Sequence, residues 1–166
     1  MPLPRPLAGS LAAIRALPGI IGWGRAVMEL AWAVPLLLIV AHLGGVLRPG
    51  IRADATTALT LAATLFVIPA LGEELLFRAM MIPRDRPTSF SIAVATLLFV
   101  LWHPLQAVTI GPPWAAAFLD PWFLACVGIL GLVCGRIYAA TRSLWPPVIV
   151  HWLVVFGWKM FLGGPF

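Results

Sequence analysis

A chain of 166 residues that is 61% hydrophobic and 10% charged is not an ordinary soluble domain, in which charged residues make up about a quarter. Its mean hydropathy of +1.00 and eight Trp residues point to an integral membrane protein. The net charge of +5 comes from eleven Lys and Arg scattered along the chain, with no basic run and no aromatic–basic interleaving; interfacial anchoring accounts for them, and nucleic acid is excluded as a partner.

Residues 1–26 carry Arg5, Arg15 and Arg25 around short apolar patches without a small-residue cleavage pattern. They read as an interfacial amphipathic lead-in. Residues 27–166 read as one membrane-embedded helical domain. A spanning helix needs about 20 mostly apolar residues, and five segments qualify: 27–46, 56–81, 89–106, 121–140 and 146–162. The expected fold is therefore all-α, a polytopic transmembrane bundle of about five spans. Pro69 is expected to kink or restart the second span. Asp120 is a plausible N-cap for the fourth, with Pro121 as a good first helical residue, and Pro146 and Pro147 open the fifth. Gly111-Pro112-Pro113 marks the one evident loop.

Arg5, Arg15, Arg25, Arg84, Arg86 and Arg142 fall on one side of this arrangement; Arg48, Arg52 and Lys159 fall on the other. The positive-inside rule then places the N-terminus in the cytoplasm. Cys126 and Cys134, eight apart in one apolar stretch, have no metal-ligand spacing and read as small buried packing residues. Gly131 and Gly135 form a Gly-x-x-x-Gly helix-packing motif. Trp114, Trp122, Trp145 and Trp158 fit interfacial belts, and Arg136 and Arg142 fit anchors at the inner face.

Chemistry concentrates in Leu71-Gly72-Glu73-Glu74-Leu75-Leu76-Phe77-Arg78. An ionisable group at membrane depth is costly and functional by default, and this run has three. On a helix Glu74 and Arg78 stand at i and i+4 and can pair. Glu73 is rotated by about 100° from Glu74 and stays available. His42 is alone in the first segment and reads as a packing or interfacial residue. His103 and His151 lie in separate spans, and with Glu73 they supply a carboxylate and two imidazoles. A carboxylate in a low-dielectric pocket can act as general base toward a water. Two imidazoles can position that water, donate to an oxyanion or bind a metal. The bland alternative is interhelical hydrogen bonding that holds the bundle together, and a proton-conducting role for Glu73 is a third reading. No His-Glu-x-x-His zinc signature is present.

Glu73-Glu74-x-x-x-Arg78, then Phe99-x-x-x-His103, then His151 preceded by Ser143-Leu144-Trp145-x-Pro147, resembles the CPBP intramembrane proteases, which include the type II CAAX prenyl endopeptidases and Abi-type proteins. The resemblance implies an endopeptidase acting near the membrane surface on a peptide or protein substrate, which can itself be membrane-associated. It implies that Glu73 activates the attacking water, that His103 and His151 complete the site, and that Glu74, Arg78 and Phe99 support it. Both a metal-free mechanism and a divalent metal such as zinc, held by Glu73, His103 and His151, are compatible with it. Where the family often has His-x-x-x-Asn, this chain places Val155 four residues after His151. That departure motivates an alternative: a weak or inactive scaffold, immunity or maturation protein of the same family. With straight helices, Glu73 and His151 lie about 10 Å from the inner face and His103 about 20 Å from it. One shared site therefore requires a kink at Pro69, a shorter third helix or tilt.

Overall fold

Prolines and short polar caps divide this apolar chain into helices. The computed structural model describes residues 4–51, 54–111 and 113–165; Arg52 and Pro112 lie outside them. The helices are α1 (Arg5–Arg15), α2 (Ile20–Leu43), α3 (Ala55–Met80), α4 (Ser89–Thr109), α5 (Pro121–Thr141) and α6 (Trp145–Phe161), with a 3-10 segment at Pro113–Leu119. Helices α2 to α5 are each long and apolar enough to cross a membrane. With 17 residues, α6 stands at the lower limit of about 17 for a spanning helix. The result is an all-helical membrane bundle of about five spans.

Local chemistry accounts for the helix ends. The Asp120 carboxylate accepts from the backbone N–H groups of Trp122 and Phe123, both at 2.9 Å, and Pro121 follows in the first turn. Thr88 and Ser91 cap α4 reciprocally, each side chain accepting from the other's backbone N–H at 3.0 Å. Asp54 caps α3 by accepting from the Thr57 N–H at 2.9 Å. Helix α2 begins at Ile20 rather than at 27, because Pro18 and the extended Gly19 stop the preceding chain. Gly22, Gly24 and Arg25 then continue inside the helix instead of delaying it.

Helix α3 is broken where Pro69 predicts. A proline disfavours helical geometry in the residue before it, and Ile68 is extended, with φ −135° and ψ 115°; the Ile68–Pro69 peptide bond is cis. The second half restarts at Pro69 and carries Glu73, Glu74 and Arg78. Its regular turn, Gly72–Glu74, runs into a wider π-type turn at Leu75–Met80, a feature often found at functional sites.

Gly131 and Gly135 let α5 press against α4. A Cβ added at Gly131 would stand 3.0 Å from Phe99 Cδ1, and one at Gly135 would stand 2.9 Å from Ile92 Cγ2. Cys134 is buried and Cys126 half-buried, both as free thiols. At one end of the bundle Arg84 Nε donates to the Arg142 carbonyl at 3.0 Å and Arg142 donates to the Arg84 carbonyl. There Ser143 and Trp145 also donate to the carbonyls of Ala16 and Ile14, at 2.6 and 2.8 Å. The three basic segments grouped by sequence therefore meet at one end. At the other end Arg48 and Gly50 donate to the carbonyls of Leu162 and Phe161, both at 2.9 Å. Large apolar side chains such as Ile39, Leu97 and Leu101 face outward, as a surface against lipid requires.

Candidate active site

A fully buried charged cluster underlies the site. Glu74 and Arg78, one turn apart, are both inaccessible to solvent. Arg78 Nε stands 3.0 Å from Glu74 Oε2 but out of line for a directional hydrogen bond, so charge rather than alignment holds the pair. The guanidinium lies 4.6 Å above the Phe99 ring, a cation–π contact that gains strength when desolvated. The other oxygen of Glu74 accepts from His151 Nδ1 at 2.8 Å. Phe99 touches Phe77, His103 and His151 edge-on, at centroid distances of 5.3, 5.0 and 5.7 Å. It is the apolar hinge of the cluster.

Glu73 faces the opposite way. Its Oε1 accepts from Trp102 Nε1 at 3.2 Å and from Gln106 Nε2 at 3.3 Å, two donors one turn apart on α4. Its Oε2 is buried without a hydrogen-bond partner and stands 3.8 Å from His151 Nε2. That gap is too long for a direct hydrogen bond. One oxygen is anchored; the other is open.

Hydrogen-bond partners fix the imidazoles. A carboxylate can only accept, so His151 carries its hydrogen on Nδ1 toward Glu74 and presents Nε2 to Glu73. A backbone carbonyl can only accept, so His103 carries its hydrogen on Nδ1 toward Phe99 O at 2.9 Å. Its Nε2 is left over. Buttressing of a histidine by a carboxylate orients the ring.

Glu73, His103, Gln106 and His151 all line one cavity of about 860 Å³ that runs between α2, α3, α4, α5 and α6. The remaining wall is mostly hydrocarbon and aromatic, including Leu130, Phe123 and Val155. The break at Ile68 and Pro69, which also line the cavity, lets the acidic half of α3 meet α4 and α6 at one level. Cavities that are largely apolar with a few convergent polar groups are the usual form of a ligand site.

Among the described residues no three His, Cys, Asp or Glu side chains are arranged to share one metal ion. Glu73 and His151 converge, whereas His103 directs its hydrogen bond to Phe99 rather than to Glu73. The donor set of the described residues therefore does not fit a three-ligand zinc site.

Of the residues expected from sequence, Glu73, His103 and His151 face one cavity, Phe99 also lines it, and Glu74 and Arg78 lie directly behind it. Trp102 and Gln106 were not anticipated, because their partner lies on another helix. Phe99, His103 and Gln106 follow i, i+4, i+7 spacing on one helical face, which was the available signal. Trp114 and Trp158 line the cavity instead of joining a lipid belt, and Lys159 is buried over the Trp114 ring at 4.0 Å. His42 is exposed. Arg136 pairs with Glu29 of α2 at 2.9 Å.

The chain is thus a polytopic helical bundle with a paired acidic motif, an arginine one turn later and histidines on two further helices around one cavity. Residues 55–157, more than half of the chain, match the sequence model of the Rce1-like family, the Type II CAAX prenyl endopeptidase Rce1-like group. The chain belongs to this family. Comparisons with curated proteins and with solved structures find no match.

Proposed function

We propose that the protein is an intramembrane endopeptidase that hydrolyses a peptide bond near the membrane surface, with Glu73 as general base. The supporting observation is the asymmetry of the Glu73 carboxylate: Oε1 held by two donors, Oε2 open beside His151 Nε2 in an apolar cavity.

A water bridging Glu73 Oε2 and His151 Nε2 can donate one hydrogen to each and aim a lone pair at a scissile carbonyl, with His103 facing the same cavity. Glu73 Oε2 takes a proton as the water oxygen bonds to the carbonyl carbon, and the carbonyl electron pair moves to its oxygen. Collapse of the tetrahedral intermediate breaks the C–N bond. Glu73 returns the proton to the leaving amine, giving one carboxylic acid and one amine. General base catalysis of this kind contributes about 10²–10⁴-fold. Glu74, Arg78 and Phe99 act by holding His151 and the α3 turn in place.

The substrate class that the family name suggests is a prenylated Cys-aliphatic-aliphatic-X protein terminus. In proteoliposomes, the purified protein should cleave such a peptide in ¹⁸O-labelled water and leave one ¹⁸O in the newly formed carboxylate. Absence of cleavage both of that peptide and of a mixed peptide library, by protein that remains folded, contradicts the proposal. The hydrocarbon of Val155 in the cavity wall would then favour a non-hydrolytic scaffold.

A further inference from the structure

We propose that Gln106 is the oxyanion donor of this site, supplying from α4 the carboxamide that α6 lacks at Val155. The inference rests on the endopeptidase reading above and deepens it.

The chain contains no asparagine and a single glutamine, Gln106. The only carboxamide side chain in 166 residues sits in a spanning helix, lines the cavity and lies 3.3 Å from the Glu73 carboxylate. A carboxylate accepts and cannot donate, so the amide presents nitrogen to it. That nitrogen carries two hydrogens in a fixed plane. One reaches Glu73 Oε1; the other has no partner among the described residues.

Each other donor near Glu73 is committed. Trp102 has one N–H, and it goes to Glu73 Oε1. His151 and His103 direct their Nδ1 hydrogens to Glu74 and Phe99, and a neutral imidazole bonded in this way has no second hydrogen to turn toward the cavity. Such rings accept from a water but cannot donate to an oxyanion. Trp158 and Lys159 also line the cavity, but they follow His151 by seven and eight residues, about 10–12 Å along α6. Val155 offers only methyl groups. The cavity's other unpartnered N–H, Trp158 Nε1, belongs to that more distant turn of α6, so negative charge that develops on the scissile oxygen beside Glu73 meets the uncommitted N–H of Gln106. In a site poor in water such a donor is worth far more than on a surface.

The test compares wild type, Glu73→Gln, Gln106→Ala and Trp102→Phe in proteoliposomes, using a quenched fluorescent peptide that ends in a farnesylated Cys-aliphatic-aliphatic-X sequence. Cleavage by wild type that is lost in Glu73→Gln establishes the parent reading separately. Gln106→Ala should then lower kcat by about 10²–10³-fold, the usual cost of one oxyanion donor, with KM within about threefold. Trp102→Phe removes the other N–H to the same oxygen of Glu73 and should cost at least about tenfold less in kcat than Gln106→Ala. Equal losses in the two variants overturn the proposal and reduce Gln106 to a residue that holds Glu73. A Gln106→Ala kcat within about threefold of wild type overturns it as well. If wild type fails to cleave, or Glu73→Gln still cleaves, the parent reading falls and this one with it. A Gln106→Leu variant, closer in volume, should reproduce the alanine result if the lost group is the amide rather than packing.

Discussion

Glu73 and Glu74 are neighbours in the chain with opposite surroundings. Glu74 is enclosed by Arg78 and His151; Glu73 has one oxygen open beside a cavity. Breaking a buried pair by removing one partner leaves an uncompensated charge and costs about 3–5 kcal/mol. Arg78→Met should therefore lower the thermal unfolding midpoint in detergent markedly, and an unchanged midpoint would contradict the buried-pair account. The i, i+4 spacing made the Glu74–Arg78 pair legible in the sequence and left Glu73 as the available group. Trp102 and Gln106 were less legible, because a hydrogen bond between helices leaves no spacing signal across the intervening residues. What the sequence did offer was composition: a lone carboxamide inside an apolar helix already asks for a polar partner.

Helix boundaries follow capping chemistry where a strong cap exists. Asp120 and Pro121 were legible for that reason, and so was the interruption at Pro69, whose ring constrains the residue before it. The start of α2 was less legible, since Gly22, Gly24 and Arg25 resemble a boundary until the extended Gly19 is seen to supply one. At the head of α3, the Thr57 backbone N–H, followed by the Thr57 side chain, holds the Asp54 carboxyl below its usual 3.8. A depressed carboxyl contributes stability above its unfolded pKa and loses it as pH falls through the folded value. The stability of wild type relative to Asp54→Asn should thus be constant above pH 3.8 and shrink below it, as thermal unfolding across a pH series would show. Between α4 and α5, Gly131→Val would drive branched methyls into Phe99. It should lower the unfolding midpoint and, by displacing Phe99, activity with it; overpacking of this kind costs about 1–3 kcal/mol. A midpoint matching wild type would show that the two helices are not packed as closely as the glycine contacts indicate.

At the level of the molecule, the break in α3 removes the depth mismatch that straight helices would impose. Glu73, His103 and His151 reach one cavity although they come from three helices. The sequence could state that such convergence was required but not how the chain achieves it, because the outcome depends on packing across α2 to α6. If the cavity receives substrate, Val155→Phe should place a ring in its wall and raise KM by about tenfold or more, while the protein stays folded. Unchanged kinetics would mean that substrate approaches Glu73 by another route. The identity of the group that activates water is tested most directly by cleavage of the farnesylated peptide with wild type and Glu73→Gln side by side, each with and without a strong chelator. The predicted result is cleavage by wild type that persists with chelator and falls about 10²–10⁴-fold in Glu73→Gln. Full activity in Glu73→Gln would contradict the central role of Glu73, and loss of wild-type activity with chelator would contradict activation of the water by the carboxylate alone.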